Sequence, residues 1–277
     1  LHIGTEKTGT TSIQSWLAAN RHALSYRQVF LSDVLGGPNN QILAHAFQEN
    51  VDHYFLPMQI TTVEKVRSFR KRLTDELASE VEAASKNHDC MVISSEQMQS
   101  RLLGGQEVER LAGYLRDLFS EITVVCYLRH QLEMRRSFYS TLVRMGYVGA
   151  IEEFDAEIDE SSLYYNHLAL VHRWENAFGR DRLLLREYSR DKLHRGDVVH
   201  DFVAYALPKL DSSGLIYSRS TKNSTLSGAH LMAYRTINRW LAFSDGIGGL
   251  RKGNARAKRM ARAVLAPFAP WLQRPEG

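Results

Sequence analysis

The chain is predicted to be an α/β protein in which a mostly parallel sheet is flanked by helices. Short apolar runs typical of strands alternate along the sequence with longer amphipathic segments typical of helices. Residues 122–128, ITVVCYL, form the clearest strand because β-branched residues are frequent in the run. Residues 1–14 place a strand end, a glycine-bounded loop and a helix start in direct succession. This alternation favours parallel pairing, since crossover helices then cover both faces of the sheet.

The spacing of apolar residues predicts the elements of the first part of the chain. The first helix spans residues 10–19, because Ile13, Trp16 and Leu17 recur at i, i+3 and i+4. The next predicted elements are a strand at residues 28–31, a helix at residues 41–48 and a long solvated helix at residues 62–85. Residues 90–94 are a short apolar run, which indicates a strand buried on both faces.

Polar residues stand directly after three of the predicted strands. Amphipathic helices are predicted at residues 107–120 and 132–145, on either side of the strand at residues 122–128. Glu96 follows the strand at residues 90–94, Arg129 follows the strand at residues 122–128, and a loop at residues 4–12 follows the first strand. Ligands of parallel sheets bind beyond the carboxyl ends of the strands. One cleft is therefore expected to hold all three.

Composition limits the class of protein. The 277 residues are 44% hydrophobic and 24% charged, which is ordinary for a globular protein with a large core. We expect a single domain over residues 1–277, with a basic tail from about residue 251. The formal net charge of +4 suits an anionic ligand, whereas a nucleic-acid partner would require a denser basic face, so none is expected.

Cysteine usage predicts a reducing compartment. Cys90 and Cys126 lie inside apolar runs and are interpreted as buried free thiols. The sequence contains no run long enough to span a membrane and no signal peptide, so a cytoplasmic location is expected. The chain begins inside a predicted strand without an initiating Met, which is compatible with a truncated N-terminus. No Cys/His cluster is spaced for a metal, so no metal is expected.

The loop after the first strand is predicted to bind an anion. Gly4 and Gly9 are spaced as in the phosphate loop G-x-x-x-x-G-K-[ST], and backbone amides at a helix start attract anions. The lysine, however, precedes the second glycine as Lys7, and Thr10 occupies the lysine position of a nucleotide-triphosphate loop. The candidate ligand-binding residues of the loop are Lys7, Thr8, Gly9, Thr10, Thr11 and Ser12.

The KTGTT order at residues 7–11 resembles the 5′-phosphosulfate-binding loop of sulfotransferases that use 3′-phosphoadenosine 5′-phosphosulfate. Residues 127–140, YLRHQLEMRRSFYS, resemble the 3′-phosphate-binding segment of that family, in which a strand ends in Arg and a helix carries Ser. The resemblance implies a P-loop nucleotide-hydrolase-like sulfotransferase fold. It also implies that Arg129 and Ser137 bind the 3′-phosphate of the donor and of the product, 3′,5′-adenosine bisphosphate.

Further similarity to bacterial sulfotransferase-like proteins extends downstream. Residues 164–193 look like a helix with Trp174, a turn at residues 178–179 and a strand at residues 183–185, before a helix at residues 197–207. Residues 223–227 have counterparts there but are interpreted as a helix N-cap. Residues 251–253, RKG, resemble a 3′-phosphate motif of cytosolic sulfotransferases without its second glycine. Residues 251–262 are interpreted as a solvated basic helix, with contact to a membrane surface as the alternative.

The resemblance implies transfer of a sulfuryl group to a hydroxyl or amine of an acceptor, with a glycan or small alcohol as the expected class. Lys7 would stabilise the leaving phosphate, and Glu6 is expected to point away from the bound anion. Glu96 is the first candidate for the catalytic base, with a structural ion pair to a nearby Arg as the alternative interpretation. The second is His45, for which a histidine on a helix surface is the alternative interpretation. The other functions considered are a Mg²⁺-dependent P-loop small-molecule kinase and a nucleotide-binding protein without catalysis.

Overall fold

The computed structural model describes residues 1–156, 162–217 and 228–247, and it describes side chains in the last range only at residues 230–239. The chain divides into two compact units. The first unit consists of Leu1–Val51, Pro57–His130 and Leu163–Ser220. The second unit consists of Asp52–Leu56, Gln131–Ser162 and Thr221–Gly277. The expectation of one domain over residues 1–277 stays a prediction.

The first unit contains parallel strands with the N-terminal segment in the middle. The strands are β1 (Val29–Phe30), β2 (Cys90–Met91), β3 (Val124–Leu128) and β4 (Leu183–Glu187). β1 pairs with β2, and β3 pairs with β4, both in parallel. Segment 1–5 joins the two pairs, because the amide of His2 donates to Ile93 O at 2.8 Å and the amide of Ile3 donates to Val125 O at 3.0 Å. The predicted parallel α/β arrangement is thereby confirmed, with the strand order β1, β2, segment 1–5, β3, β4.

Eleven helices lie in the described ranges. They are α1 (Thr10–Ala19), α2 (Arg21–Tyr26), α3 (Gln41–Phe47), α4 (Val63–Ala84), α5 (Gln97–Arg101), α6 (Gly105–Leu118), α7 (Gln131–Arg144), α8 (Ile151–Ala156), α9 (His167–Phe178), α10 (Val198–Ala206) and α11 (Gly228–Ile247). Short 3₁₀ helices span His53–Met58, Arg180–Arg182 and His194–Gly196. The predicted helix at residues 10–19 is confirmed with both boundaries. The other helices with predicted bounds in these ranges differ from the observed ones by at most two residues at either end.

Side-chain caps fix the start of three helices. The Thr62 hydroxyl accepts from the amide of Lys65 at the start of α4, and the Asn166 side chain accepts from the amide of Ala169 in α9. The Asp197 carboxylate accepts from two amides in the first turn of α10. Each cap supplies a partner to amides that the helix itself leaves without one, which stabilises the helix by about 1 kcal/mol.

Two apolar clusters lie on opposite faces of the sheet. On β3, Val124 and Cys126 belong to one cluster, whereas Val125 and Tyr127 belong to the other. Successive residues of a strand point to opposite faces, so the two clusters are separated by the sheet. Helices α6 and α9 contribute to the first cluster, and α1 and α10 contribute to the second. The helices therefore cover both faces, as the sequence predicts.

The prediction that both cysteines are buried is wrong for Cys90. Cys126 is buried in the middle of β3, and burial raises the pKa of its thiol to about 12. Cys90 is exposed because it is the first residue of β2, at the amino end of the strand. Burial on both faces begins only two residues later, at Val92. Cys90 and Cys126 are both free thiols.

The second unit has its own apolar cluster on α7 and α8. The buried residues of this cluster are Phe138, Tyr139, Leu142, Val143 and Phe154. α11 contacts α7, since the Asn238 amide donates to the carbonyls of Val143 and Tyr147 at 2.7 and 3.1 Å. An ion pair of 2.8 Å between Arg135 and Asp155 also ties α7 to α8.

Two predictions fall outside the described residues. They concern the interpretation of residues 223–227 as a helix cap and the basic segment at residues 251–262. Within the described ranges, no helix combines the length and the apolar composition that a crossing of the bilayer requires.

Candidate functional site

The loop that follows segment 1–5 requires its two glycines. Gly4 has a φ of 98° and Gly9 a φ of 76°, both in the left-handed region. A Cβ on Gly4 would lie 3.1 Å from the Cα of Glu96, and a Cβ on Gly9 would lie 2.8 Å from a methyl group of Val198. Lys7, between them, also has a positive φ of 66°, which is unusual for a residue with a side chain. The backbone is therefore held in a tight, specific curve.

Near the start of α1, the loop places four backbone amides that have no hydrogen-bond acceptor among the described residues. In the described part of the chain, the amides of residues 8–11 donate to no acceptor, whereas those of Ser12 and Ile13 both donate to Gly9 O. The first turn of α1 contains no acidic residue, so the positive end of the helix dipole is not compensated there. Amides of this kind, at the beginning of a ten-residue helix, form a place where an anion binds favourably.

The hydroxyl groups of the loop divide into structural and accessible ones. Thr5 and Thr8 are fully buried, and their hydroxyls donate to Tyr127 O at 3.1 Å and to Thr5 O at 2.5 Å. Thr10 is buried as well. Thr11 is exposed and Ser12 half-buried in the first turn of α1. Of the candidate binding residues, Thr8 thus supports the loop with its side chain and offers a ligand its amide.

Arg129 lies against the loop. Its guanidinium donates from Nη1 to Lys7 O at 3.1 Å, although the two residues are 122 positions apart in the sequence. The same guanidinium lies 5.8 Å from the ring centroid of Tyr188, a residue that follows β4 and packs against Gly9. Burial raises the pKa of the Tyr188 hydroxyl, Arg129 opposes that rise and Asp197 adds to it. The predicted strand-end arginine and the predicted anion loop are therefore in direct contact.

Glu96 lies on the other side of the loop, next to Gly4. Its Oε2 accepts from Gln14 Nε2 at 2.9 Å and its Oε1 accepts from Asn39 Nδ2 at 3.1 Å. Both partners are neutral amides, so hydrogen bonds orient the carboxylate and no ion pair is involved in either contact. Glu96 is half-buried. Gln14 belongs to α1, one turn after Thr10, and Asn39 belongs to the loop before α3, so neither is near Glu96 in sequence.

Glu6 has two hydrogen-bond partners outside the loop. Its carboxylate accepts a hydrogen bond from the Tyr164 hydroxyl at 2.8 Å, and its amide donates to Gln99 Oε1 at 3.4 Å. Sequence reasoning did not identify Gln14, Asn39, Gln99 or Tyr164. The only signal was indirect: Gln99 and Asn39 follow the strands whose carboxyl ends converge here.

His45 and Ser137 occupy different environments. His45 is only 2% exposed on α3, so the alternative interpretation as a helix-surface histidine is wrong. Its Nδ1 lies 3.4 Å from Gln48 Nε2 in the same turn of the chain. The histidine is buried because the second half of α3 is enclosed on every side: residues 43–47 are all buried. Ser137 is half-buried on α7, which belongs to the second unit.

A buried ion pair supports the strand beside the loop. The carboxylate of Asp201, on α10, accepts two hydrogen bonds from the Arg186 guanidinium, at 3.0 and 2.6 Å. It also accepts one from the Tyr127 hydroxyl at 2.9 Å and one from the amide of His194 at 2.8 Å. Burial alone would raise the pKa of Asp201, but these hydrogen bonds outweigh burial and hold its pKa below the ordinary value. The network joins β3, β4 and α10.

The described residues contain no group of three or more His, Cys, Asp or Glu side chains that could hold a metal ion. Arg129 and Glu96 both lie against the loop at residues 4–12, which contains Lys7 and the amides of residues 8–11, at the carboxyl ends of neighbouring parallel strands. This group of residues is the candidate site. Comparison of the chain with family models, with curated proteins and with solved structures finds no match.

Proposed function

We propose that this protein is a sulfotransferase that moves a sulfuryl group from 3′-phosphoadenosine 5′-phosphosulfate to a hydroxyl or amine of an acceptor. The observation that carries the proposal is the hydrogen bond from Arg129 Nη1 to Lys7 O. The bond joins a guanidinium, which suits a phosphate, to the backbone of a loop whose four amides and lysine suit a second anionic group, and it thereby supports the proposal. A donor with a 5′-phosphosulfate and a 3′-phosphate carries two such groups on one nucleoside.

The order of Lys7 and Gly9 favours sulfuryl over phosphoryl transfer. A phosphoryl group in transfer carries more negative charge than a sulfuryl group, and phosphate loops balance that charge with Mg²⁺ as well as a lysine after the second glycine. In this chain Thr10 stands at that position. One lysine and the amides of residues 8–11 suffice for a singly charged sulfuryl group and its bridging oxygen.

In the proposed reaction the acceptor oxygen attacks sulfur in line with the bond to the 5′-phosphate. The new S–O bond forms as the old one breaks, the acceptor proton moves to Glu96, and 3′,5′-adenosine bisphosphate leaves. Lys7 and the loop amides stabilise the charge that develops on the leaving phosphate. Arg129, in the first unit, binds the 3′-phosphate. The role that the family resemblance implies for Ser137, on α7 of the second unit, stays a prediction.

Glu96 is a better candidate for the base than His45. Its two hydrogen-bond partners fix the carboxylate beside Gly4 at the start of the loop, and it is half-buried rather than buried. His45 is almost inaccessible in α3. A base must reach the attacking oxygen, so geometry favours the glutamate.

The acceptor proposed from the family resemblance is a carbohydrate or a small alcohol. Transfer of label from a ³⁵S-labelled donor to panels of glycans, small alcohols and amines tests the acceptor class directly. If the donor stays intact with every panel while the protein binds the bisphosphate, the nucleotide-binding function without catalysis replaces the proposal. The proposal fails altogether if ATP with Mg²⁺ phosphorylates an acceptor instead.

The bisphosphate should stabilise the protein through Arg129. We expect saturating 3′,5′-adenosine bisphosphate to raise Tm, because a ligand that binds only the folded state stabilises it, by about 2.7 kcal/mol at a hundredfold excess over Kd. ADP, which lacks the 3′-phosphate, and ATP with Mg²⁺ should raise Tm much less. Arg129→Ala should remove most of the difference between bisphosphate and ADP in a thermal-shift titration.

Arg116→Ala is the matched control for this experiment. Arg116 lies on α6, outside the candidate site, and its guanidinium also donates to a backbone carbonyl, Ala177 O, at 2.6 Å. It should leave the difference between the two nucleotides unchanged. Equal weakening of both nucleotides by Arg129→Ala would show that Arg129 acts only on the Lys7 carbonyl, which contradicts a 3′-phosphate site. Equal stabilisation of the wild type by bisphosphate and ATP with Mg²⁺ would contradict the sulfotransferase.

Turnover should survive removal of divalent metal. The proposed balance of charge uses Lys7, the loop amides and Arg129, so we expect the rate of labelled transfer to change less than about twofold after EDTA treatment, since no Mg²⁺ is required to balance a sulfuryl group. The rate is compared in EDTA, in EDTA with excess Mg²⁺ and in Mg²⁺ alone. A strict requirement for Mg²⁺ would favour the kinase.

A further inference from the structure

Three hydrogen bonds close a ring around the residue that precedes Lys7. The Tyr164 hydroxyl donates to Glu6 Oε2 at 2.8 Å, the Glu6 amide donates to Gln99 Oε1 at 3.4 Å, and Gln99 Nε2 donates to Tyr164 O at 2.9 Å. The ring thus ties the backbone and the side chain of Glu6 to one another through two other residues. We call these three residues the Glu6 clamp.

Two of the three residues of the clamp are almost completely buried, and Glu6 is half-buried. Gln99 is 1% exposed and Tyr164 is 2% exposed, and the Tyr164 ring packs edge-on against Tyr165 at a centroid distance of 4.8 Å. Burial raises the pKa of the Tyr164 hydroxyl well above its ordinary value, and the Glu6 carboxylate raises it further. The hydroxyl therefore keeps its proton near neutral pH and donates a hydrogen bond to Glu6.

The position of Glu6 beside an anion loop makes the direction of its carboxylate consequential. Glu6 is the only acidic residue of the loop at residues 4–12 and is adjacent to Lys7. A carboxylate turned toward the amides of residues 8–11 would repel an anion and compete for Lys7, and the repulsion of two charges at contact distance is large in a partly buried site. The hydrogen bond to Tyr164 prevents that rotation.

The clamp also bears on the backbone of Lys7. The positive φ of Lys7 is costly for a residue with a Cβ and persists only where neighbouring contacts impose it. The Glu6 amide is held by Gln99 on one side of Lys7, and the Lys7 carbonyl is held by Arg129 on the other. The Glu6 amide belongs to the peptide unit between residues 5 and 6, and the Lys7 carbonyl belongs to the unit between residues 7 and 8. The two contacts therefore hold the backbone on both sides of the peptide that joins Glu6 to Lys7.

We infer that Tyr164 and Gln99 are positioning residues that turn the Glu6 carboxylate away from the anion site and fix Lys7 for binding the donor. This inference rests on the proposed function for the identity of the nucleotide. It extends that function by assigning roles to two residues outside the loop. Neither touches the reacting atoms in this account, since both act through Glu6.

The test is a double-mutant cycle on the affinity for 3′,5′-adenosine bisphosphate, measured by isothermal titration calorimetry. Tyr164→Phe should raise Kd about tenfold, because it releases a negative charge next to the bound anion. Glu6→Gln alone should bind at least as tightly as the wild type, since a glutamine still accepts from Tyr164. The double variant should return to the affinity of Glu6→Gln, because the charge that Tyr164 restrains is absent.

Rescue by Glu6→Gln separates positioning from a merely structural role. Loss of packing at Tyr164 would weaken binding equally with glutamate or glutamine at position 6. Tyr114→Phe is the matched control, since the Tyr114 hydroxyl likewise donates one hydrogen bond in the same unit, but to a backbone carbonyl, Thr74 O at 2.8 Å. It should leave Kd unchanged. Unchanged affinity in Tyr164→Phe, or a double variant as weak as Tyr164→Phe alone, overturns the inference.

A second probe distinguishes this inference from the proposed function. Inorganic pyrophosphate tests the loop as an anion site without any nucleoside. Failure of the wild type to bind the bisphosphate, together with the full cycle on pyrophosphate, would overturn the sulfotransferase and support the clamp. Failure to bind either anion overturns both. Should Tyr164→Phe not fold, Gln99→Met removes the other two bonds of the clamp, and an unchanged affinity for both probes in that variant overturns the inference.

Discussion

Glu96→Gln should lower kcat about 10²-fold or more while leaving the Kd of 3′,5′-adenosine bisphosphate within about twofold of wild type, because it removes a proton acceptor and no donor-binding group. The substitution keeps the shape of the side chain. Gln14 and Asn39 donate to different oxygens of the Glu96 carboxylate. A glutamine has only one side-chain oxygen, so it keeps the hydrogen bond from one of these partners and loses the other. Single-turnover transfer from labelled donor, with the bisphosphate Kd from calorimetry, measures the two quantities separately.

Glu80→Gln serves as the control for Glu96→Gln. The Glu80 carboxylate, on α4, is likewise oriented by hydrogen bonds, from the Ser32 hydroxyl and from the amide of Asp33. The Glu80→Gln substitution should leave kcat unchanged. If Glu96→Gln retains full activity and His45→Ala loses it, the base is the histidine despite its burial. A parallel loss of kcat and bisphosphate affinity in Glu96→Gln would instead indicate that Glu96 shapes the loop and does not take the proton.

Asp201→Asn should lower the free energy of unfolding by about 3 kcal/mol, because it leaves the Arg186 guanidinium without a charged partner in a partly buried place. The Asp201 side chain is 0% exposed and that of Arg186 21% exposed. Water therefore reaches the arginine and limits the loss to the lower end of the range for broken buried pairs. Urea unfolding at constant m, followed by fluorescence and by circular dichroism, measures the change.

The exposed pair of Arg21 and Asp33 provides the matched comparison. Its N–O distance is 2.6 Å, as in the Arg186–Asp201 pair, but the Asp33 side chain is 85% exposed. Asp33→Asn should cost less than about 1 kcal/mol, because water and salt screen an exposed ion pair. Equal losses in the two variants would contradict the account of the Asp201 network.

The contribution of Asp201 also has a defined pH dependence. Its pKa in the folded protein lies below the ordinary value, so its ionised form stabilises the fold above the pKa of the unfolded chain, about 3.9. That contribution is lost as the pH falls through the folded pKa. The difference in stability between wild type and Asp201→Asn should therefore be constant at neutral pH and decrease under acid. A difference that grows on acidification would show the opposite sign of linkage.

The sequence determined the local elements of this protein. The apolar spacing of Ile13, Trp16 and Leu17 defines α1, and a β-branched run marks β3, because both signals lie in residues close together in the sequence. The loop with its two glycines was also readable, since a positive φ selects glycine directly. The order of strands and helices then predicted that Glu96 and Arg129 stand at strand ends.

Burial was the less predictable property. Cys90 and His45 were each interpreted from their neighbours in sequence, and the fold reversed both interpretations. Cys90 lies where β2 begins at the edge of the core. His45 lies on a short helix whose packing partners come from distant parts of the chain. A periodicity shows which residues share a face, but what covers that face depends on the tertiary arrangement.

Only the tertiary structure decided which polar side chains meet. Arg129 contacts Lys7 across 122 positions, Gln14 contacts Glu96 across 82, and Tyr164 contacts Glu6 across 158. None of these pairs has a local signal, because hydrogen-bond partners across a parallel sheet are set by the strand order. Segment 1–5 lies between β2 and β3. Glu96, which follows β2, and Arg129, which follows β3, therefore both contact the loop that follows segment 1–5.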